Sequence, residues 1–148
     1  QTAISLRRGT SDIKVFSQIF ADNDYNLRRL NRWNEIRGIY EGLVAQAATP
    51  LILDCGANIG LASLYFAKNW PRAHIIAVEP QDGNYHLMCR NLAGHANIQP
   101  VKAAVGCEDG VVKIANPDSC AWMHQTERAE AGSVAAISAR YTNGSQSR

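Results

Sequence analysis

The apolar positions of the chain change period near residue 50. Before it they recur every three or four places: Ile13, Phe16 and Phe20 follow Ser11 and Asp12, which offer a helix N-cap, and a polar turn spans Ala21 to Asn26. Leu27, Leu30, Trp33, Ile36, Tyr40, Leu43 and Val44 then form the stripe of a helix lying on a core, with Arg28, Arg29, Arg32 and Arg37 on its other faces. Thr49 and Pro50 end that helix.

Beyond Pro50 short β-prone runs take over: Leu51 to Cys55, His74 to Glu79, Ile98 to Val101 and Val111 to Ile114. Two are nearly continuous in apolar residues, as strands covered on both faces should be. Helical patterns separate them. Ile59 to Trp70 stops at Pro71, while Asp82 caps a second helix that carries Tyr85, Met88, Cys89 and Leu92 on one face and closes at Gly94.

Strand, helix, strand, helix, strand is the order of a parallel sheet built from right-handed crossovers. The expected fold is α/β, a Rossmann-like, doubly wound, mostly parallel sheet preceded by N-terminal helices. Residues 1–49 read as a helical segment and residues 50–148 as a ligand-binding domain. Glu108, Asp109 and Gly110 make a turn, Pro117 to Gly132 shows no sustained period, and Ser133 to Ala139 reads as a further strand. A doubly wound domain has two halves and about one and a half are visible, so the C-terminal half is expected to be incomplete.

At 148 residues the chain fits one domain with a sizeable core. Its 46% apolar and 19% charged residues place it among ordinary globular proteins. A net charge of +2 is too weak to imply a nucleic-acid partner, and Glu35 and Glu41 interrupt the arginine-rich face, which reads as solvated surface. The apolar stretch from Ile59 to Ala67 falls well short of the roughly 18 residues that a membrane span needs, so no membrane partner is expected. Without a targeting leader, the expected location is the cytoplasm. A homo-oligomer is compatible with all of this. Cys55, Cys89, Cys107 and Cys120 lack the C-x-x-C pairing of zinc or redox sites and read as small apolar residues, with no disulfide framework and no metal site.

The chemistry concentrates in "LILDCGANIG", Leu51 to Gly60. In an open α/β sheet ligands bind outside the carboxyl ends of the strands, and the turn after the first strand comes closest to them. Asp54 ends that strand. Gly56 and Gly60 permit backbone angles that a Cβ forbids, and the helix that follows points unpaired amides at an anionic group.

A dinucleotide site would read G-x-G-x-x-G, whereas here the spacing is Gly56, Asn58, Gly60, with Leu61 at the position of the third glycine. An acidic residue at the strand end suits a cationic, amine-bearing ligand such as S-adenosylmethionine. Asp54 would meet its positive methionine part and loop amides its carboxylate. Glu79, ending the second strand, stands where acidic residues of this fold bind ribose hydroxyls, and Pro80 beside it would press on the adenine. Taken singly, either carboxylate also reads as a helix cap or a surface ion pair.

With these residues assembled, the chain resembles the FkbM-type methyltransferase family, a branch of the Rossmann-like class I methyltransferases. The words "LILDCGANIGLASLYFA", "IIAVEPQDGNYHLMCRNL" and "NIQPVKAAVGCEDG" carry the likeness, and "SDIKVFSQIFADNDYN" upstream resembles its N-terminal signature. The resemblance implies donor contacts at Asp54, Gly56, Asn58, Gly60 and Glu79, with an adenine edge near Ala103 or Ala104; Ala57 and Pro80 join them as cofactor-binding candidates. It further implies O-methylation of a sugar or natural-product hydroxyl. The family's later D-I-E-G-like motif has no counterpart here.

In-line transfer of a methyl group needs alignment and exclusion of water more than acid or metal, but a hydroxyl acceptor benefits from a general base. His74 opens a strand, His86 lies off the apolar stripe, and His95 follows a helix-ending glycine, which leaves His124 as the one candidate near an acceptor pocket; it reads first as an ordinary loop histidine, and Trp122 beside it equally as a sugar platform or an aromatic covering the core edge. No catalytic residue can be assigned from this. Two functions stand: a methyltransferase, or a donor-binding module that needs further residues or a partner chain to act.

Overall fold

A computed structural model describes residues 3–106, 110–114, 126–128 and 134–138. The chain forms α1 (Asp12–Phe16), a π-helical turn (Ser17–Ala21), a 3-10 turn (Leu27–Arg29), α2 (Trp33–Ala45), β1 (Leu51–Cys55), α3 (Leu61–Asn69), β2 (His74–Val78), α4 (Asp82–Leu92) and β3 (Ile98–Val101). Four short strands follow: β4 (Ala104–Gly106), β5 (Gly110–Ile114), β6 (Thr126–Arg128) and β7 (Val134–Ser138).

The architecture is α/β. β1, β2 and β3 form a parallel sheet in that order, with Leu51 opposite His74, Cys55 opposite Val78 and Val78 opposite Val101. α3 and α4 are the crossovers, so the carboxyl ends of β1 and β2 stand side by side. This is the Rossmann-like unit that the alternating pattern predicts. The expected fourth strand, Val111 to Ile114, joins a different sheet, ordered β4-β7-β5-β6, where β5 runs antiparallel to β6 and β7. A short apolar run gives strand type but not strand partner. The expected strand at Ser133 to Ala139 is present as β7.

The core is centred on β2, whose Ile75 and Ala77 are fully buried against Leu64 of α3, Met88 and Leu92 of α4, and Ile98 of β3. A second cluster joins Ile19 of the π-helical turn to Ile59, Leu61 and Ala62, with Ile4, Phe16 and Phe20 packed on it. The N-terminal residues thus close over the start of α3. Ile19, inside the π-helical turn and off the expected stripe, is buried, while Ile13 of α1, on that stripe, is exposed.

Three other expectations change. The helix predicted from Leu27 begins at Trp33, and none of its residues is fully buried. It rests on one side chain instead: Trp33 and Tyr40 meet Trp70 at 5.7 and 4.7 Å between ring centres, and the Arg72 amide donates to the Tyr40 hydroxyl. Among the described residues β1 is covered on one side only, since Leu51 and Leu53 remain 58% and 50% exposed and Cys55 is exposed with them. An apolar run marks strands that can be covered on both faces; it does not supply the second layer. The cap of α4 is Gln81, whose side chain accepts from the Asn84 amide at 2.6 Å, while Asp82 pairs with Lys102.

Cys55 and Cys89 are free thiols; Cys107, Cys120, Trp122, His124 and the Glu108–Asp109 part of the turn lie outside the described residues. Among the described residues no helix is long and apolar enough to cross a membrane.

Candidate functional site

A cavity of about 460 Å³ opens at the carboxyl ends of β1 and β2, within the usual range of small-molecule sites. Asp54, Gly56, Ala57 and Asn58 form one wall with Ile59, Leu61 and Ala62, and Glu79 and Pro80 form another. Val15, Gln18, Ile19, Asp24 and Tyr25 come from the N-terminal segment. Gly60 lies behind this lining. Its φ of +85° is in the left-handed region, and a Cβ there would stand 3.0 Å from Leu92 Cδ2 and 3.2 Å from Met88 Cγ. The close helix approach expected of the third glycine in a dinucleotide loop is made here by Gly60, with Leu61 buried beside it. Ala103 and Ala104 are buried just past β3 and do not line the cavity.

The turn is locked from below. The Gly56 and Ala57 amides both donate to the Val78 carbonyl at 2.9 Å, the Gly60 amide donates to Ala57, and the Asn58 amide donates to Glu79 Oε2 at 2.9 Å. Asn58 itself sits at φ +51°. These four amides, expected as anion donors, are therefore spent within the fold. Those of Ile59, Leu61 and Ala62 at the start of α3 have no hydrogen-bond acceptor among the described residues, and all three residues line the cavity. That is the arrangement in which a helix start receives an anionic group.

Each carboxylate is half structural and half facing the cavity. The Ser63 hydroxyl donates to Asp54 Oδ2 at 2.5 Å, so Asp54 caps α3 from the end of β1. Burial pushes its carboxyl above the ordinary range, against the Ser63 side-chain and backbone bonds that pull it down. Glu79 is only 4% exposed; it accepts from Asn58, from the Gln81 amide at 3.0 Å and from Asn84 Nδ2 at 3.3 Å. The helix-cap alternative thus applies to Asp54, whereas Glu79 fastens the β1–α3 turn and the entry to α4; both still line the cavity.

The residues fit S-adenosylmethionine on the structure's own terms. The cavity offers carboxylates toward a cation and free amides toward a carboxylate. Among the described lining residues there is no Lys, Arg or His to hold a pyrophosphate.

Sequence reasoning missed Val15, Gln18, Asp24 and Tyr25. The words "SDIKVFSQIFADNDYN" contain them, but nothing in their spacing reveals that the segment folds back over α3. Asn91 was also missed. Buried on α4, it accepts from the Ser5 amide at 2.7 Å and donates from Nδ2 to the Ile59 and Ser5 carbonyls, fastening the N-terminal segment to the β1–α3 turn. His74, His86 and His95 do not line the cavity.

No family model matches the chain. Over 89 residues it is 35% identical to methyltransferase sdnD of Sordaria araneosa, a match covering 60% of this chain and 28% of that protein. Over 65 residues it is 33% identical to methyltransferase 1 of Beauveria bassiana, covering 43% and 26%. A third match, 38% identical over 66 residues, is to the AMB antimetabolite synthetase AmbE of Pseudomonas aeruginosa, covering 45% of this chain and 2% of that protein. The chain thus spans little more than a quarter of either named methyltransferase. Two relatives that bear the name methyltransferase support a methyltransferase kinship for this chain.

Proposed function

We propose that this chain is the donor-binding part of an S-adenosylmethionine-dependent methyltransferase of the FkbM type, acting on a hydroxyl of a sugar or natural product. The observation that supports it best is the meeting of Asp54 and Glu79, from successive strand ends, in one cavity whose floor is the open start of α3. In this reading the amides of Ile59, Leu61 and Ala62 hold the ligand's carboxylate, Asp54 faces its positive charge, and Glu79 accepts from the ribose with the lone pairs left by Asn58, Gln81 and Asn84.

When bound, the donor supplies a methyl group on a sulfonium, and displacement at that carbon requires an aligned nucleophile and little water. The chain contributes alignment through the locked turn, and exclusion of water through Ile19, Leu61 and Tyr25 over the cavity. The acceptor's proton must go to a base, and no described imidazole lines the cavity. That observation favours, as the second reading, a module completed by further residues or by a partner.

Calorimetric titration with S-adenosylmethionine and with NAD tests the donor reading: binding of the first and not the second is expected, and the reverse overturns it. Release of S-adenosylhomocysteine with a panel of hydroxylated acceptors separates enzyme from module.

A further inference from the structure

The charge of the cavity is unbalanced. Its wall carries Asp24 besides Asp54 and Glu79, with no cationic side chain among the described lining residues. Asp54 and Glu79 are tied into the fold by the hydrogen bonds described above. Asp24 is different: its amide donates to the Gln18 carbonyl at 3.0 Å, but its carboxylate makes no hydrogen bond or ion pair among the described residues. It sits in an exposed turn beside Tyr25, whose ring packs edge-on against Tyr65 and Phe66. Asp24 and Tyr25 line the cavity together. The Tyr25 hydroxyl is pushed up by burial and then by the charges of Asp54 and Asp24.

Methyl transfer changes the charge of the ligand. The carbon–sulfur bond breaks, its electron pair returns to sulfur, the acceptor oxygen takes the methyl group and loses a proton, and the sulfonium becomes a neutral thioether. Ammonium and carboxylate are the same before and after. Any carboxylate near the sulfur that has no other partner therefore distinguishes donor from product.

On the donor reading of this cavity, we propose that Asp24 is a specificity-determining residue that makes the site prefer the sulfonium donor to the thioether product. Asp54 then faces the ammonium that donor and product share, Glu79 faces the ribose, and the uncommitted third carboxylate reads the sulfonium. Product is thereby displaced by fresh donor.

The test compares three ligands on the full chain by calorimetry: S-adenosylmethionine, S-adenosylhomocysteine, and an analogue in which a protonated amine-bearing carbon replaces the sulfonium. Asp24→Asn should weaken the two cationic ligands roughly three- to ten-fold, the scale of one charge removed across a partly hydrated cavity, and leave the thioether within about two-fold. Raising the salt concentration should shrink the wild-type preference and barely alter the variant's. Asp24→Ser should repeat the result, with unchanged urea midpoints showing that the fold is intact. Equal weakening of all three ligands, or no change in any, overturns the proposal. Failure of the wild type to bind either nucleoside is a different result, because it removes the donor reading itself.

Discussion

The amide of Asn58 donates to Oε2 of Glu79 across 2.9 Å, so the turn after β1 and the end of β2 form one unit. Glu79 is thus both the fastener of the turn and an acceptor facing the cavity. Its removal strands donors that are otherwise satisfied.

Glu79→Ala should therefore act twice. Leaving the Asn58 and Gln81 amides without their acceptor should lower stability by about 2 kcal/mol, and loss of the ribose acceptor should weaken donor binding by roughly 1–3 kcal/mol. Urea unfolding and calorimetry read the two effects separately. A purely structural Glu79 would show the first without the second.

The two glycines of the turn should separate stability from binding. Gly60→Ala combines a φ of +85° with contacts at 3.0 to 3.2 Å to Leu92 and Met88, and should cost about 2–3 kcal/mol. Gly56 has a φ of +78°, but a Cβ there would meet nothing within 4 Å, so Gly56→Ala should cost only about 1 kcal/mol. Because Gly56 lines the cavity, its variant should lose more donor affinity than stability. Similar urea midpoints for the two would contradict the packing described here.

The raised Asp54 carboxyl sets a pH dependence. Between its unfolded and folded values the folded chain holds the extra proton, so this group's contribution to stability falls as pH rises through that window. A cationic ligand prefers the ionised form. Donor affinity should accordingly fall on acidification, beginning above the ordinary carboxylate range, and binding there should release a proton. Calorimetry in two buffers of different ionisation enthalpy detects that release, and Asp54→Asn should bind weakly and lose it. Affinity that stays flat until the protein unfolds would place Asp54 away from the ligand's charge.

The buried Asp12 accepts from Arg7 three times, from Nε, Nη2 and the amide, each at 2.9 Å. Burial favours its protonated form, but the Arg7 hydrogen bonds and charge outweigh that and hold the carboxyl below its ordinary range. The stabilisation is present above the unfolded value and lost as pH falls through the folded one. Arg7→Ala, which leaves the carboxylate buried and unpaired, should cost about 3 kcal/mol, and Asp12→Ala added to it should recover part of the loss. A simple sum of the two single effects in urea unfolding would refute the pairing.

Much of this was legible in the sequence, for identifiable reasons. Pro71 and Gly94 end α3 and α4 because one cannot continue a helix and the other accepts the left-handed conformation, here φ +87°. Asp54, Gly56, Asn58 and Glu79 were picked out as lining one cleft because strand ends and small-residue turns are local signals. Asp24, Tyr25 and Asn91 were not, because their roles depend on how the first 26 residues fold back over α3 and α4. The exposed side of β1 escaped notice for a related reason: "LILDC" reads alike whether one face is covered or two. Ile75→Ala should consequently cost about 2–5 kcal/mol while Leu53→Thr stays within about 1 kcal/mol, and equal costs in urea unfolding would mean that β1 is covered after all.

The most direct test is a crystal structure of the chain soaked with S-adenosylmethionine. The ligand should occupy the cavity at the ends of β1 and β2, its ribose hydroxyls on Glu79 and its carboxylate at the amides of Ile59, Leu61 and Ala62. A nucleoside bound elsewhere, or this cavity empty at saturating ligand, would contradict the assignment.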